Sequence, residues 1–250
     1  MRGVSGGRQE TVSSGMSGSE QEPGPQSARP GLVDAVVFDY GGVLTSPVRD
    51  SIGSWLERDA IDPASFSRTL RAWLARSAPE GTPIHRLETG ELGVPEFDRL
   101  LAGELRSTTG RPVPTSGLVR GLFADLRPDL AMFGLAEAIK RCGLRVGLLS
   151  NSWGNSYPRE RIDSLFNPVV ISSEVGMRKP NADIFRYTLD LLGTSAGRVV
   201  FIDDAEPNTE GARRLGLRTI LHQDSATTRR ALTELVPELA GDHGLREPGA

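Results

Sequence analysis

The chain has 250 residues, 38% of them hydrophobic, and a net charge of −3 from 29 Lys and Arg against 32 Asp and Glu. So small an imbalance gives no electrostatic reason for a nucleic-acid or anionic-membrane partner, and no apolar run reaches the roughly eighteen residues that would span a bilayer. The single cysteine, Cys142, excludes an intrachain disulfide and a thiolate metal cage; it reads as a small core-facing residue, and a cytoplasmic location is the expectation.

Residues 1–31 are rich in Gly, Ser, Pro, Glu and Gln and cannot bury enough surface to offset their ordering entropy, so a disordered tail is expected there. They lack the apolar centre of a secretory signal, and Met16 offers another start. Val33 to Asp39 is an apolar run that predicts a buried first strand. It ends in a carboxylate on the turn Tyr40-Gly41-Gly42, whose glycines let other groups come close. Residues 46–128 show helical patches instead: Ile52 to Ala60, Phe66 to Ala75 behind Asp62-Pro63, Pro95 to Leu105 and Leu118 to Leu126. An interval of roughly eighty residues is too long for a plain loop, and it is expected to be a helical cap.

Alternation then resumes. Met132 to Cys142 has helical spacing and stops at Gly143; Leu144 to Ser150 is a second buried strand, and Val169 to Ser173 a weaker third. Asn181 is the expected cap of a helix running to Leu192. Val199 to Asp203 is a fourth strand, Ala205 to Leu215 a helix, Arg218 to Leu221 a short fifth strand, and Ala226 to Leu235 a last helix. Residues 241–250 look as loose as the amino terminus.

Continuous apolar strands alternating with helices imply an α/β fold: a Rossmann-like parallel sheet with helices on both faces, in a discontinuous core of residues 32–45 and 129–240. Crossovers of one hand put all strand carboxyl ends on one edge, which brings Asp39, Ser150 and Asp203 together there. With Lys179 and Asp204 they form a constellation suited to moving a phosphoryl group.

The segments Val36-Val37-Phe38-Asp39-Tyr40-Gly41-Gly42-Val43-Leu44, Leu148-Leu149-Ser150-Asn151-Ser152, Arg178-Lys179-Pro180 and Phe201-Ile202-Asp203-Asp204 resemble the four ordered motifs of the haloacid dehalogenase superfamily. The resemblance covers about residues 32 to 221. The insert matches by position, as in the subclass with a small α-helical cap. It implies that Asp39 is the nucleophile, forming an aspartyl-phosphate that water cleaves. Two anions repel, so a cation is needed; Asp39, Asp203 and Asp204 supply hard oxygen ligands suited to Mg2+, and by resemblance the Gly41 carbonyl completes the set. Ser150 would donate to a phosphoryl oxygen beside the amides of Asn151 and Ser152. Lys179 would set a positive charge against the transferring group, its backbone held extended by Pro180. Asn208 fits the family's polar position after the paired aspartates.

Gly41 departs from the pattern, because the family's phosphatases carry a second aspartate there to protonate the leaving oxygen. Losing a positioned acid–base costs about a hundred- to ten-thousand-fold in rate, least for leaving groups that need little help. His85 and Glu88, expected on a helix of the cap, are candidates to substitute, with an ordinary surface or packing role competing for His85; Tyr40 is expected to pack beside the turn. Three readings follow: a magnesium-dependent phosphohydrolase for a small phosphorylated metabolite, a metal-independent carbon–halogen hydrolase, and a degenerate fold kept for binding. The paired aspartates oppose the second reading, and Gly41 alone supports the third.

Overall fold

The computed structural model describes residues 33–75, 81–154 and 157–241. The tails expected at residues 1–31 and 241–250 lie outside the described residues, save for Gly241, which ends a short 3-10 helix. Strands β1 (Ala35–Phe38), β2 (Arg145–Ser150), β3 (Val169–Ile171), β4 (Val199–Asp203) and β5 (Arg218–Leu221) form one parallel sheet in the order β3-β2-β1-β4-β5. Side chains alternate across a strand, and here both faces are apolar. Val36, Phe38, Val200 and Ile202 enter one core layer, while Ala35, Val37, Val199 and Phe201 enter the other.

The interval after β1 folds into α1 (Val48–Arg58), α2 (Pro63–Leu74), α3 (Pro83–Glu88), α4 (Val94–Glu104) and α5 (Leu118–Leu122). Asp62 accepts from the Ala64 and Ser65 amides and starts α2, with Pro63 in its first turn, as the local sequence anticipates. These helices bury a core of their own around Trp55, Phe66, Ile84, Phe97 and Leu122. The chain enters and leaves this insert through a paired crossing, where Thr45 bridges Pro128 and the Ser46 amide donates to Arg127 O at 2.7 Å.

The sheet is flanked by α6 (Leu130–Arg141), α7 (Arg159–Leu165), α8 (Ser172–Val175), α9 (Ala182–Leu192), α10 (Glu206–Arg214) and α11 (Ser225–Leu235). The structure departs from the sequence reading at three places. The third strand ends at Ile171, not Ser173: buried Ser172 turns its hydroxyl toward a backbone amide, and the chain makes a helical turn closed by left-handed Gly176. Helix α7 was not anticipated, because Ile162 and Leu165 are its only buried residues. Helix α5 also stops at Leu122, short of Leu126.

Candidate active site

Sheet order builds the site. The chain travels from β1 through β2 to β3 on one side, then returns to lay β4 and β5 on the other. Between β1 and β4 the direction reverses, and the register pairs Phe38 with Ile202, so Asp39 and Asp203 extend from neighbouring strand ends. The Asp39 amide donates to Ile202 O at 2.8 Å.

Lys179 lies between the two carboxylates, with Nζ 2.8 Å from Asp39 Oδ1 and 2.7 Å from Asp203 Oδ2. A third bond, to Leu149 O at 3.0 Å, commits all three ammonium hydrogens. Burial alone would discharge this lysine, which is 1% exposed, but Asp203 and then Asp39 more than offset that and hold its pKa above the usual range.

Asp39, Asp203 and Asp204 each offer an oxygen, all within 4.8 Å of one another. Three carboxylates face one cation, Lys179. Burial pushes Asp39 up to about 7, with Lys179 opposing and Asp203 reinforcing; burial and then Asp203 push Asp204 up to about 6. An all-oxygen donor set with surplus negative charge fits a hard divalent ion such as magnesium. The three acids are not equivalent. Asp203 accepts from Lys179, from the Asn208 amide at 3.0 and 3.1 Å, and from the Ala205 amide at 2.8 Å, so its lone pairs are largely committed. Asp204 is exposed and closes over Gly42, where φ is +78° and a Cβ would come within 2.3 Å of Asp204 Oδ2. Gly41 precedes it on the same turn; a Cβ there would meet only Val48 Cγ2, at 3.4 Å.

Ser150 ends β2, and its hydroxyl lies 3.0 Å from Tyr157 Oη, whose ring packs 4.9 Å from that of Tyr40. Burial raises the Tyr40 phenol and keeps it neutral. Asn151 gives its side chain to the backbone of Lys179, and the Ser152 amide is taken by Ser172 Oγ at 2.8 Å. Thus Asp39, Lys179, Asp203 and Asp204 are in mutual reach, Ser150 stands at the next strand end, and Asn151 supports Lys179 from behind.

Glu88 spends both carboxylate oxygens on Trp153 and Arg178, which removes it as a proton donor for a leaving group. His85 lines a cleft of about 770 Å³ between α3 and the start of α10. Asp39, Gly41 and Asp204 are not among that cleft's walls; it meets the site through Asn151 and Asn208, the two amides that hold Lys179 and Asp203. Sequence reading missed Tyr157 and the Glu88 contacts, and no local signal marks either.

A family model described as haloacid dehalogenase-like hydrolase matches residues 33–216. Phosphatase MT3486 of Mycobacterium tuberculosis is 31% identical over 210 residues, covering 79% of this chain and 90% of that protein. Sesquiterpene phosphatase astK of Aspergillus oryzae is 27% identical, covering 81% and 96%. Bifunctional epoxide hydrolase 2 of Rattus norvegicus is 27% identical over 79% of this chain, which spans only 38% of that relative's length. Among solved structures, a predicted HAD-like family hydrolase from Porphyromonas gingivalis superposes with TM-score 0.61 at 24% identity, covering 82% of this chain and 98% of its own. A HAD family enzyme from Bacteroides thetaiotaomicron, in complex with magnesium and inorganic phosphate, gives 0.55 at 20% identity, covering 76% and 94%. A dehalogenase gives 0.51 at 19%, covering 75% and 83%. Identities this low bear on the fold alone.

Proposed function

The chain belongs to the haloacid dehalogenase-like hydrolases, and from that premise we propose that it is a magnesium-dependent phosphohydrolase acting on a small phosphorylated metabolite. One observation carries this reading: buried Lys179 bridges Asp39 and Asp203 while Asp204 stands in the same 4.8 Å cluster. The phosphatases among the relatives support it.

In this reading Asp39 keeps Oδ1 on Lys179 and attacks phosphorus with its other oxygen. The P–O bond to the leaving group breaks, and the leaving oxygen takes its proton from water, since Gly41 offers none. Water then attacks phosphorus, releasing inorganic phosphate and the Asp39 carboxylate. Ser150 donates its hydroxyl hydrogen to a phosphoryl oxygen, and Lys179 holds its charge beside the transferring group. Magnesium, held by Asp39, Asp204, the Gly41 carbonyl and the charge of Asp203, would neutralise the approach of one anion to another. The helical insert takes the part of a cap that excludes bulk water.

A metal-independent dehalogenase would share the fold and the absent second aspartate, but the Asp203-Asp204 pair would be idle on an uncharged carbon. The test offers purified protein p-nitrophenyl phosphate and sugar phosphates with and without magnesium, and chloroacetate separately. Magnesium-dependent phosphate release lost in Asp39→Asn is the expected result. Metal-free halide release would replace the reading, and silence on every substrate would leave a binding protein.

A further inference from the structure

Glu88 is 4% exposed, an unusual place for a carboxylate, and it closes the helical α3 of the insert against the core. Trp153 Nε1 donates to Glu88 Oε1 at 2.8 Å, and the Arg178 guanidinium pairs with Oε2. Its backbone carbonyl accepts from Ser172 Oγ at 2.6 Å, and that same Oγ accepts the Ser152 amide at 2.8 Å. Two glycines permit the approach. A Cβ on Gly90 would lie 2.6 Å from Ser173 O, and one on Gly154 would lie 2.1 Å from Val94 Cγ2.

A buried ion pair is a poor source of stability, since apolar residues of similar volume hold an interface as well or better. Register is the better-attested use of such a pair. The side-chain partners of Glu88 lie close to residues of the site, since Arg178 precedes Lys179 and Trp153 is two residues past Asn151; Ser172, which donates to its carbonyl, also holds the amide of Ser152, next to Asn151. The two loops are themselves clasped together by the Asn151 amide.

We propose that Glu88 is a positioning residue, which reaches from the insert to fix the Asn151–Trp153 and Arg178–Lys179 loops together, so that the site is assembled only while α3 is seated. The catalytic consequence rests on the phosphohydrolase reading above; the structural coupling does not.

Hydrogen exchange on the full-length protein tests the coupling directly. In Glu88→Gln the Ser152 and Lys179 amides should exchange at least about tenfold faster while α4 and α5 keep their protection, and the Trp153 indole proton resonance, assigned with Trp153→Phe, should move upfield. Turnover of p-nitrophenyl phosphate should fall about 10- to 100-fold in kcat, with KM within about threefold, because misplaced groups slow the chemistry more than they weaken binding. Faster exchange confined to α3, or unchanged kcat per folded molecule, overturns the proposal. A wild-type protein without turnover sinks the phosphohydrolase reading, and exchange still decides the coupling. Should Glu88→Gln not fold, Ser172→Ala removes one hydroxyl and must speed exchange of the Ser152 amide; no change there also overturns it.

Discussion

Asn151 closes both ends of its side-chain amide on the backbone of Lys179, donating from Nδ2 to Lys179 O at 3.0 Å and accepting the Lys179 amide on Oδ1 at 2.9 Å. The asparagine beside Ser150 thus spends its polar groups on holding the backbone of Lys179. Replacing it with alanine leaves two buried backbone groups unpaired and frees the start of the Lys179 side chain. Asn151→Ala should lower kcat by about 10- to 100-fold with a small change in KM. A rise in KM alone, at constant kcat, would instead mark Asn151 as a substrate contact.

Lys179 separates two buried carboxylates, so its removal leaves Asp39 and Asp203 facing each other. Lys179→Ala should abolish turnover and destabilise the metal-free protein by about 3–5 kcal/mol, the usual cost of stranding a buried charge. Urea unfolding at neutral pH without magnesium measures it. A loss under about 1 kcal/mol would mean the cluster relaxes by taking up protons, consistent with a raised Asp39.

Magnesium should stabilise the protein more at pH 8 than at pH 5. Asp39 moves from 3.8 to about 7 and Asp204 from 3.8 to about 6 in the metal-free fold. A carboxylate raised on folding contributes stability that is full below its unfolded value of about 4 and is lost as pH climbs through its folded value. Between pH 4 and about 7 the metal-free protein therefore weakens, and above that window a cation takes the place of the protons. Thermal unfolding with and without magnesium across this range reads the effect, and a pH-independent shift would contradict it. By the same logic, Asp39→Asn should raise metal-free stability at pH 8 while ending turnover.

Gly41 does not occupy the left-handed region, and a Cβ there would touch only Val48. Aspartate is therefore admissible on steric grounds. Gly41→Asp should speed hydrolysis of alkyl phosphates by about tenfold or more and of p-nitrophenyl phosphate much less, because only the poor leaving group needs a proton. Equal gains on both would refute the idea that the missing acid limits the rate.

Gly42 is different. Its φ of +78° and the 2.3 Å approach of Asp204 Oδ2 leave no space for a methyl group. Gly42→Ala should push Asp204 out of the cluster and weaken magnesium binding by about tenfold or more, measured calorimetrically. Undiminished affinity would remove Asp204 from the ligand set.

Much of the fold is legible along the chain. Val36-Val37-Phe38 and Val199-Val200-Phe201-Ile202 are apolar on both faces, a pattern that a doubly covered parallel strand requires. The acids that end those runs are legible for the same reason, since an ionised group after an apolar run marks where the strand leaves the core. The third strand shows the limit. Val169 to Ser173 has strand-like composition to its end, yet Ser172 is claimed by Ser152 and Glu88 from distant parts of the chain. Helix α7 offers too short an apolar stripe to be seen.

Strand, turn and helix, and the sheet edge on which Asp39, Ser150 and Asp203 gather, were already written in local periodicity and in the handedness of crossovers, which act over a few neighbouring residues. What Asn151 holds, where Glu88 spends its charge and which aspartate keeps free lone pairs emerged from folding alone. The first two of those outcomes depend on hydrogen bonds between groups 28 to 90 positions apart, and such contacts exist only once the sheet order has closed around them.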